Sequence, residues 1–334
     1  MEKAETAIKL NIGAICVLVA SPHRQIIAHV QDRYRDFLSD KEPDFEIEMA
    51  FLGDVESAEF LDVPREILLE FTERNLAVQS RLEQLATSSQ QRAPYHPWAQ
   101  NWRQRFHSTV EPDEDPGSRS RPKVSHLDHR VLLQRSDFAG CLDMKARRGR
   151  NTFRKNMEII AVESFLRICY SFLAVEHGGL LLHSAGVLRD DKGYIFPGPS
   201  GTGKSTIASL ATAKETILSD EMVVVRKREG NYLVYSTPFY GTNESTEQNM
   251  GGYLKAAFLP VKDDKVYLIE ARPAQALAKL LASVLFFSQE PSLNRRLMGI
   301  ATDVVAQVPF YEMHFRRDNS FWECIGEVER NAGI

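Results

Sequence analysis

Gly198-Pro199-Ser200-Gly201-Thr202-Gly203-Lys204-Ser205 is a G-x-x-x-x-G-K-[ST] sequence, and what flanks it points to the fold class. Glycines let a backbone curl until successive N–H groups face phosphate oxygens. The positive end of a following helix adds to that field. Lys204 has the length and charge to meet β- and γ-phosphates, and the Ser205 hydroxyl is a suitable Mg²⁺ ligand. Such a pattern also arises by chance, so context decides. Gly193-Tyr194-Ile195-Phe196-Pro197 before it has a strand's composition, and Thr206-Ile207-Ala208-Ser209-Leu210-Ala211 after it a helix's. A strand, a glycine loop and a helix in that order predict a nucleotide-phosphate cradle from Gly198 to Thr206, with ATP and Mg²⁺ as the expected ligands.

Working outward, Ile217-Leu218-Ser219-Asp220-Glu221 is a short apolar strand ending in two acids. A carboxylate there can hold Mg²⁺ or take a proton from an attacking hydroxyl. Upstream, Leu180–Leu188 reads as a buried strand interrupted by His183. A lone histidine is more often structural, but this strand immediately precedes the one that feeds the glycine loop. The flanking segments alternate as an α/β domain does. The expected helices are Met157–Val175, Lys204–Ala213, Ala274–Phe286 and one further stretch. The expected strands are Tyr194–Phe196, Thr216–Leu218, Val223–Arg226, Tyr232–Ser236 and Phe310–Phe315. Arg272, near Glu270, is a candidate cation for a transferred phosphoryl group, although such an arginine is usually a surface ion-pair partner.

The N-terminal part reads strand, helix, strand: about Ile8–Val19, His23–Leu38 and Phe45–Met49, followed by a helical pattern from Pro64 to about Leu85. The apolar run Ile12–Ala20 has the length of a signal-peptide core, but Glu2 and Glu5 offset Lys3 and Lys9 ahead of it. The positive flank of a signal peptide is missing, and β-branched residues favour a strand. Thr87–Ser125 is rich in Ser, Gln, Arg and Pro, with acids at Glu111, Asp113, Glu114 and Asp115 and few apolar residues beyond Trp98 and Trp102. That composition predicts a polar linker. After the strand Val131–Leu133, Lys145, Arg147, Arg148, Arg150, Arg154 and Lys155 cluster around Gly149. They fit a solvated hairpin turn, or a docking patch for an acidic substrate or partner. The expected division is therefore an α+β domain over 1–86, a linker over 87–128 and an ATP-binding catalytic domain over 129–330.

Composition excludes extremes. A chain of 334 residues that is 43% hydrophobic and 26% charged is globular, long enough for about two domains. A net charge of −4 argues against a dedicated nucleic-acid binder. No apolar run reaches the roughly 18 residues of a membrane span. Cys16, Cys141, Cys169 and Cys324 form no C-x-x-C pair, which predicts reduced thiols in a cytoplasmic protein.

Taken together, His177-Gly178-Gly179-Leu180-Leu181-Leu182-His183-Ser184-Ala185-Gly186-Val187, the glycine loop and Leu218-Ser219-Asp220-Glu221 resemble the catalytic domain of HPr kinase/phosphorylase. The likeness spans about residues 150–327. It implies an α/β, P-loop-containing fold of the HPr kinase C-terminal and phosphoenolpyruvate carboxykinase type, preceded by a smaller N-terminal α+β domain. It also implies phosphoryl transfer from ATP to a serine on a protein or peptide. By position, Asp220 would take the serine proton, His183 would sit beside it, Lys204 would hold the phosphates, and Glu221 would join Ser205 and Asp220 around Mg²⁺. The resembled family forms ring hexamers, so a homo-oligomer is implied. The glycine-rich signature that follows the acidic pair in HPr kinases is absent here, with Thr237–Thr242 in its place. An acceptor other than HPr is therefore expected, a peptide serine in particular. The alternative expectation is an ATP-binding switch or ATPase that acts on a partner without a phospho-acceptor. A third, a non-catalytic binding module, sits poorly with intact Lys204, Ser205 and Asp220.

Overall fold

A computed structural model of the protein describes residues 6–51, 61, 122–135, 137–154, 158–199, 201–212, 214–239 and 248–332. The helix expected over 64–85, most of the linker, Trp98, Trp102, Lys155 and Ser200 lie outside the described residues. The chain divides into two compact units. One comprises Met1–Lys9, Val17–Arg33 and Asp40–Leu166, and the other Leu10–Cys16, Tyr34–Ser39 and Arg167–Ile334.

A seven-stranded sheet lies mostly in the first unit, with Leu10–Ile12 and Ile15–Cys16 of its first two strands assigned to the other. Its strands are β1 (Thr6–Ile12), β2 (Ile15–Ser21), β3 (Phe45–Phe51), β4 (Lys123–Leu127), β5 (Arg130–Gln134), β6 (Phe138–Asp143) and β7 (Arg148–Phe153), in the order β1-β2-β3-β7-β6-β5-β4. The expected single strand Ile8–Val19 is two strands, broken where Gly13 and Ala14 take φ of 62° and 58°. Apolar residues on both sides of Gly13 hid the turn. Helix α1 (Arg24–Arg33) buries Ile26, Ile27 and Val30. It stops short of Leu38, and a single 3₁₀ turn, Arg35–Phe37, follows. β2, β3 and β7 run parallel, while β4 to β7 form antiparallel hairpins.

Two expectations about the division are corrected here. Lys123–Leu127, assigned to the linker, pairs with β5 along its full length. Residues 130–153, assigned to the catalytic domain, complete the first sheet, and the chain divides within helix α2 (Glu158–Glu176) instead. A backbone ladder fixed that boundary, and composition does not report ladders. The basic cluster lies at the β6–β7 turn, where Lys145, Arg147 and Arg148 are exposed and Asp143 Oδ1 accepts from the Ala146 N–H at 2.7 Å. Arg135 and Asp137 form a buried, two-pronged ion pair at 2.5 Å, a geometry that adds orientation to charge attraction.

The second unit carries an eight-stranded mixed sheet. It comprises β8 (Gly179–Arg189), β9 (Lys192–Pro197), β10 (Glu215–Ser219), β11 (Met222–Arg228), β12 (Asn231–Tyr235), β13 (Gly251–Lys262), β14 (Tyr267–Glu270) and β15 (Phe310–Phe315). The path is β10-β8-β11-β12-β13-β15-β14, and β9 pairs with both β8 and β13. The strands β8, β11, β12, β13 and β9 thus close a hydrogen-bonded ring. Among the described residues, the C-terminal part of α2 and the helices α3 (Lys204–Ser209), α4 (Pro273–Ser283), α5 (Pro291–Gln307) and α6 (Phe321–Ala332) accompany them. Two cores result. Leu180, Leu182, Val223, Val225, Ile195 and Ala257 pack with Leu280, Ala301 and Val304 of α4 and α5. Ala185, Phe196, Phe258 and Phe315 pack with Ile207 of α3 and Phe321, Trp322 and Ile325 of α6. Inward-pointing residues of β8 alternate between these cores, as a strand's period of two requires.

The protein is accordingly mixed α/β, with more antiparallel pairing than a simple alternation of strand and helix suggests. α3 ends before Ala213 because Thr212 turns the chain. Its N–H and Oγ1 both donate to Glu215 Oε2, at 2.8 and 2.6 Å. Among the described residues, no helix is long and apolar enough to cross a membrane.

Candidate functional site

The site is organised by β8, whose residues His183 and Ser184 are flanked on both edges. On one edge Ser184 is in register with Pro197, the last residue of β9, so the glycine loop leaves the sheet beside His183. On the other edge Met222 is in register with His183, and the Ser184 N–H donates to the Glu221 carbonyl at 3.0 Å. Ser184 Oγ accepts from the Phe196 N–H at 3.0 Å and donates to the Ala185 carbonyl at 2.7 Å. One buried serine thus ties together the strand that enters the loop and the strand that carries the histidine.

Within the loop Gly201 and Gly203 take φ of 88° and 109°. Gly203 also has no room for a side chain, since a Cβ there would sit 2.6 Å from Phe315 Cζ. The Ile207 N–H donates to the Gly203 carbonyl at 2.9 Å and opens α3. Lys204 Nζ donates to the carbonyls of Gly198 at 2.7 Å and Pro199 at 2.9 Å. Its ammonium is therefore folded back over the loop it belongs to. Thr202 Oγ1 donates to the Pro199 carbonyl at 2.9 Å and braces the same turn.

The polar side chains here are deeply covered: His183 is 7% exposed, Lys204 5%, and Asp220 and Arg167 4% each. His183 Nε2 lies 3.3 Å from Glu221 Oε1. Burial pushes the Glu221 carboxyl up, but the His183 hydrogen bond and the charges of His183, Arg167 and Lys204 outweigh it. The net result holds Glu221 below the ordinary carboxylate range. A carboxylate that stays ionised in a covered site must be compensated by such neighbours. The sequence reading set His183 beside Asp220, and the contact made by Nε2 is with Glu221. The structure thus brings His183, Lys204 and Glu221 together, with Asp220 one residue from Glu221 on the β10–β11 connection. Arg272 is not part of this group. It is exposed at the N-cap of α4, where its carbonyl accepts from the Ala276 N–H at 2.9 Å.

Sequence reasoning missed Arg167, on α2, whose guanidinium also lies 5.7 Å from the Phe239 ring centroid. The signal was present: Arg167 is the only charged residue between Glu163 and Glu176, in a stretch otherwise read for its apolar face.

A cleft of about 660 Å³ opens beside Thr206 and Phe315. Lys262, Arg316 and Arg317 bring positive charge to its lining, and Asp263 and Asp264 negative charge. Behind it His314 is gripped from both ring nitrogens, by Asp263 Oδ2 at 2.8 Å and Glu312 Oε1 at 2.9 Å. The Tyr267 ring stacks on it at 4.2 Å. Burial lowers the His314 pKa, but the two carboxylates more than compensate and raise it above the ordinary histidine value.

Ser205, Asp220 and Glu221 offer only oxygen donors, the set a hard cation such as Mg²⁺ takes. Among the described residues no group of three or more His, Cys, Asp and Glu side chains is arranged to hold a metal without help. Mg²⁺ commonly binds through one or two carboxylates together with substrate phosphates, so the residues present suit it.

Geometry thus defines a mixed α/β protein with a covered cluster of cations and carboxylates beside a glycine loop. Residues 150–330, more than half of the chain, match the family model of the SynChlorMet cassette protein ScmC. The chain belongs to that family. No curated protein matches it.

Proposed function

We propose that this protein is an ATP-dependent serine kinase of the HPr-kinase-like type, acting on a protein or peptide in the cytoplasm. In this reading the second unit is a P-loop domain of the HPr kinase C-terminal and phosphoenolpyruvate carboxykinase kind. The observation that carries it is the register around β8, which sets the glycine loop and the Asp220–Glu221 pair on opposite edges of His183–Ser184. A phosphate cradle and a carboxylate pair on either side of one buried strand supply both ends of a phosphoryl transfer.

The phosphates of ATP lie along the N–H groups of Gly201 to Thr206, and the nucleoside end continues past Thr206 into the adjoining cleft. Lys204 releases the Gly198 and Pro199 carbonyls and turns its ammonium to the β- and γ-phosphates. Bound Mg²⁺, near Ser205 and Asp220, would neutralise phosphate charge. The acceptor serine oxygen forms a bond to Pγ as the bond from Pγ to the β,γ-bridging oxygen breaks. ADP departs and the serine proton passes to Asp220. Glu221 keeps His183 oriented, and Arg167 adds fixed positive charge in a covered site, where such charge acts strongly.

Incubation with γ-labelled ATP, Mg²⁺ and cell lysate tests this. The expected result is label on a serine of a protein or peptide with wild type, and none with Asp220→Asn, which still binds ATP. Lys204→Ala should bind ATP weakly. ATP hydrolysis with no labelled acceptor would replace the kinase with a nucleotide-driven switch. Full transfer by Asp220→Asn would remove Asp220 from the role given to it.

A further inference from the structure

The cleft beside Thr206 contains a chemical contradiction for a site that receives a polyanion. Lys262, Arg316 and Arg317 suit phosphates, but Asp263 and Asp264 line the same space and would repel them. Asp263 has an evident structural task. Its Oδ1 accepts from the Lys265 N–H at 3.1 Å, and its Oδ2 from His314 Nδ1 at 2.8 Å and, more weakly, from the Tyr267 hydroxyl at 3.4 Å. Those bonds pin the turn between β13 and β14 to β15, the strand that supplies Phe315 beneath Gly203. Arg316 is likewise engaged, with Asp318.

Asp264 is different. Among the described residues no hydrogen bond or ion pair engages its carboxylate, yet Asp263 and His314 hold the turn that presents it. Asp264 is exposed on that turn, and on the nucleotide reading a carboxylate lining this cleft suits a ligand that brings hydrogen-bond donors along with its charge. A ribonucleotide does so: after the α-phosphate comes a ribose with two hydroxyls, and carboxylates serve as their acceptors in other nucleotide sites. Lys262 and Arg317 can offset the remaining charge.

We propose that Asp264 makes this cleft selective for a ribonucleotide, by accepting a hydrogen bond from a ribose hydroxyl of the bound nucleoside triphosphate. The inference rests on the nucleotide reading of the Gly198–Ser205 loop and adds to it the recognition of the sugar.

Calorimetric titration with Mg-ATP, 2′-deoxy-ATP, 3′-deoxy-ATP, inosine triphosphate and tripolyphosphate tests it. Wild type should bind at least one deoxy analogue about tenfold more weakly than ATP, the worth of one hydrogen bond to a charged group in an open cleft. Asp264→Ala should bind ATP and both deoxy analogues alike, and should bind tripolyphosphate, which has no ribose, at least as tightly as wild type. Equal affinity of wild type for the three nucleotides overturns the proposal, as does discrimination that survives in Asp264→Ala. Selectivity for ATP over inosine triphosphate, with both deoxy analogues binding like ATP, also overturns it, because the base would then be what is read. Failure of wild type to bind either ATP or tripolyphosphate is a separate result, which removes the nucleotide reading itself.

Discussion

Replacing Glu221 with Gln keeps the shape of the side chain and removes one negative charge from the covered cluster. The hydrogen bond to His183, 3.3 Å away, survives in weakened form. Lost is the counter-charge that faces His183, Arg167 and Lys204. Breaking a fully buried ion pair costs about 3–5 kcal/mol, because the remaining charge is stranded. Glu221 retains 17% side-chain exposure and Asp220 stays nearby, so we expect a smaller cost of about 1–3 kcal/mol. That corresponds to a melting temperature about 2–10 °C below wild type. The cost should shrink when phosphate is present. With one carboxylate fewer to repel it, tripolyphosphate should bind Glu221→Gln more tightly and raise its melting temperature more than it raises that of wild type. Thermal melts of both proteins, with and without tripolyphosphate, measure the two effects. A double-mutant cycle with His183→Gln should return a coupling of about 0.5–3 kcal/mol. If the apo Glu221→Gln protein melts with wild type, or if tripolyphosphate rescues it no better, Glu221 is not the anchor of these cations.

Three further outcomes are expected. Gly203→Ala places a Cβ at a φ of 109° and 2.6 Å from Phe315 Cζ, so it should lose about 2–4 kcal/mol in a melt and weaken ATP binding. The His314 pKa is raised in the folded state, so its stabilising contribution is complete below the unfolded value of about 6.5 and is lost as pH rises through the folded value. Wild type should therefore lose melting temperature between neutral and alkaline pH, and His314→Gln should lose less over the same range. Trp322 packs in the core with Phe196, Tyr194 and Phe321 and lies 5.3 Å from the Arg189 guanidinium. Trp322→Ala should cost about 3–5 kcal/mol, read by urea denaturation.

Much of the second unit was legible because its strands announce themselves. Leu180–Leu188, Val223–Arg226 and Phe310–Phe315 are apolar or alternating runs, and each lies within an observed strand. β13 escaped notice because Gly251, Gly252, Ala256, Ala257 and Pro260 are poor strand formers taken alone. Packing demands them: a Cβ on Gly251 would meet Tyr235 Cδ1 at 2.5 Å, and one on Gly252 would meet Leu188 Cδ2 at 2.7 Å. Those small residues are consequences of neighbours that are distant in sequence, and no local pattern encodes them. For the candidate site, motif spacing singled out Lys204, Asp220, Glu221 and His183. Which carboxylate His183 touches depends on the register of β8 against β11, set by a ladder along Gly179–His183. Arg272 drew attention through its neighbours in sequence and lies exposed. Arg167 did not, because a helix was read for its apolar stripe rather than for the charge buried within it.

Buried charge is a poor way to stabilise a fold, since apolar residues of similar volume often do at least as well. The second unit nevertheless buries Arg167, Lys204, His183 and Asp220 in the same region, and a site meant only to hold phosphate would have no use for carboxyl groups there. On the proposed reading, two carboxyl groups beside Lys204 and Arg167 make sense when something positive must also be accepted: a divalent cation arriving with the nucleotide, a proton leaving a hydroxyl, or both. Holding the polyphosphate in a passive switch requires the first alone. Transfer to an acceptor requires the second as well, and the arrangement offers two carboxyl groups for the two tasks. The division of labour is what Asp220→Asn and Glu221→Gln separate. Loss of transfer with ATP binding retained in Asp220→Asn assigns the proton to Asp220. Loss of transfer in Glu221→Gln, with Asp220→Asn active, would instead assign that step to the carboxylate paired with His183.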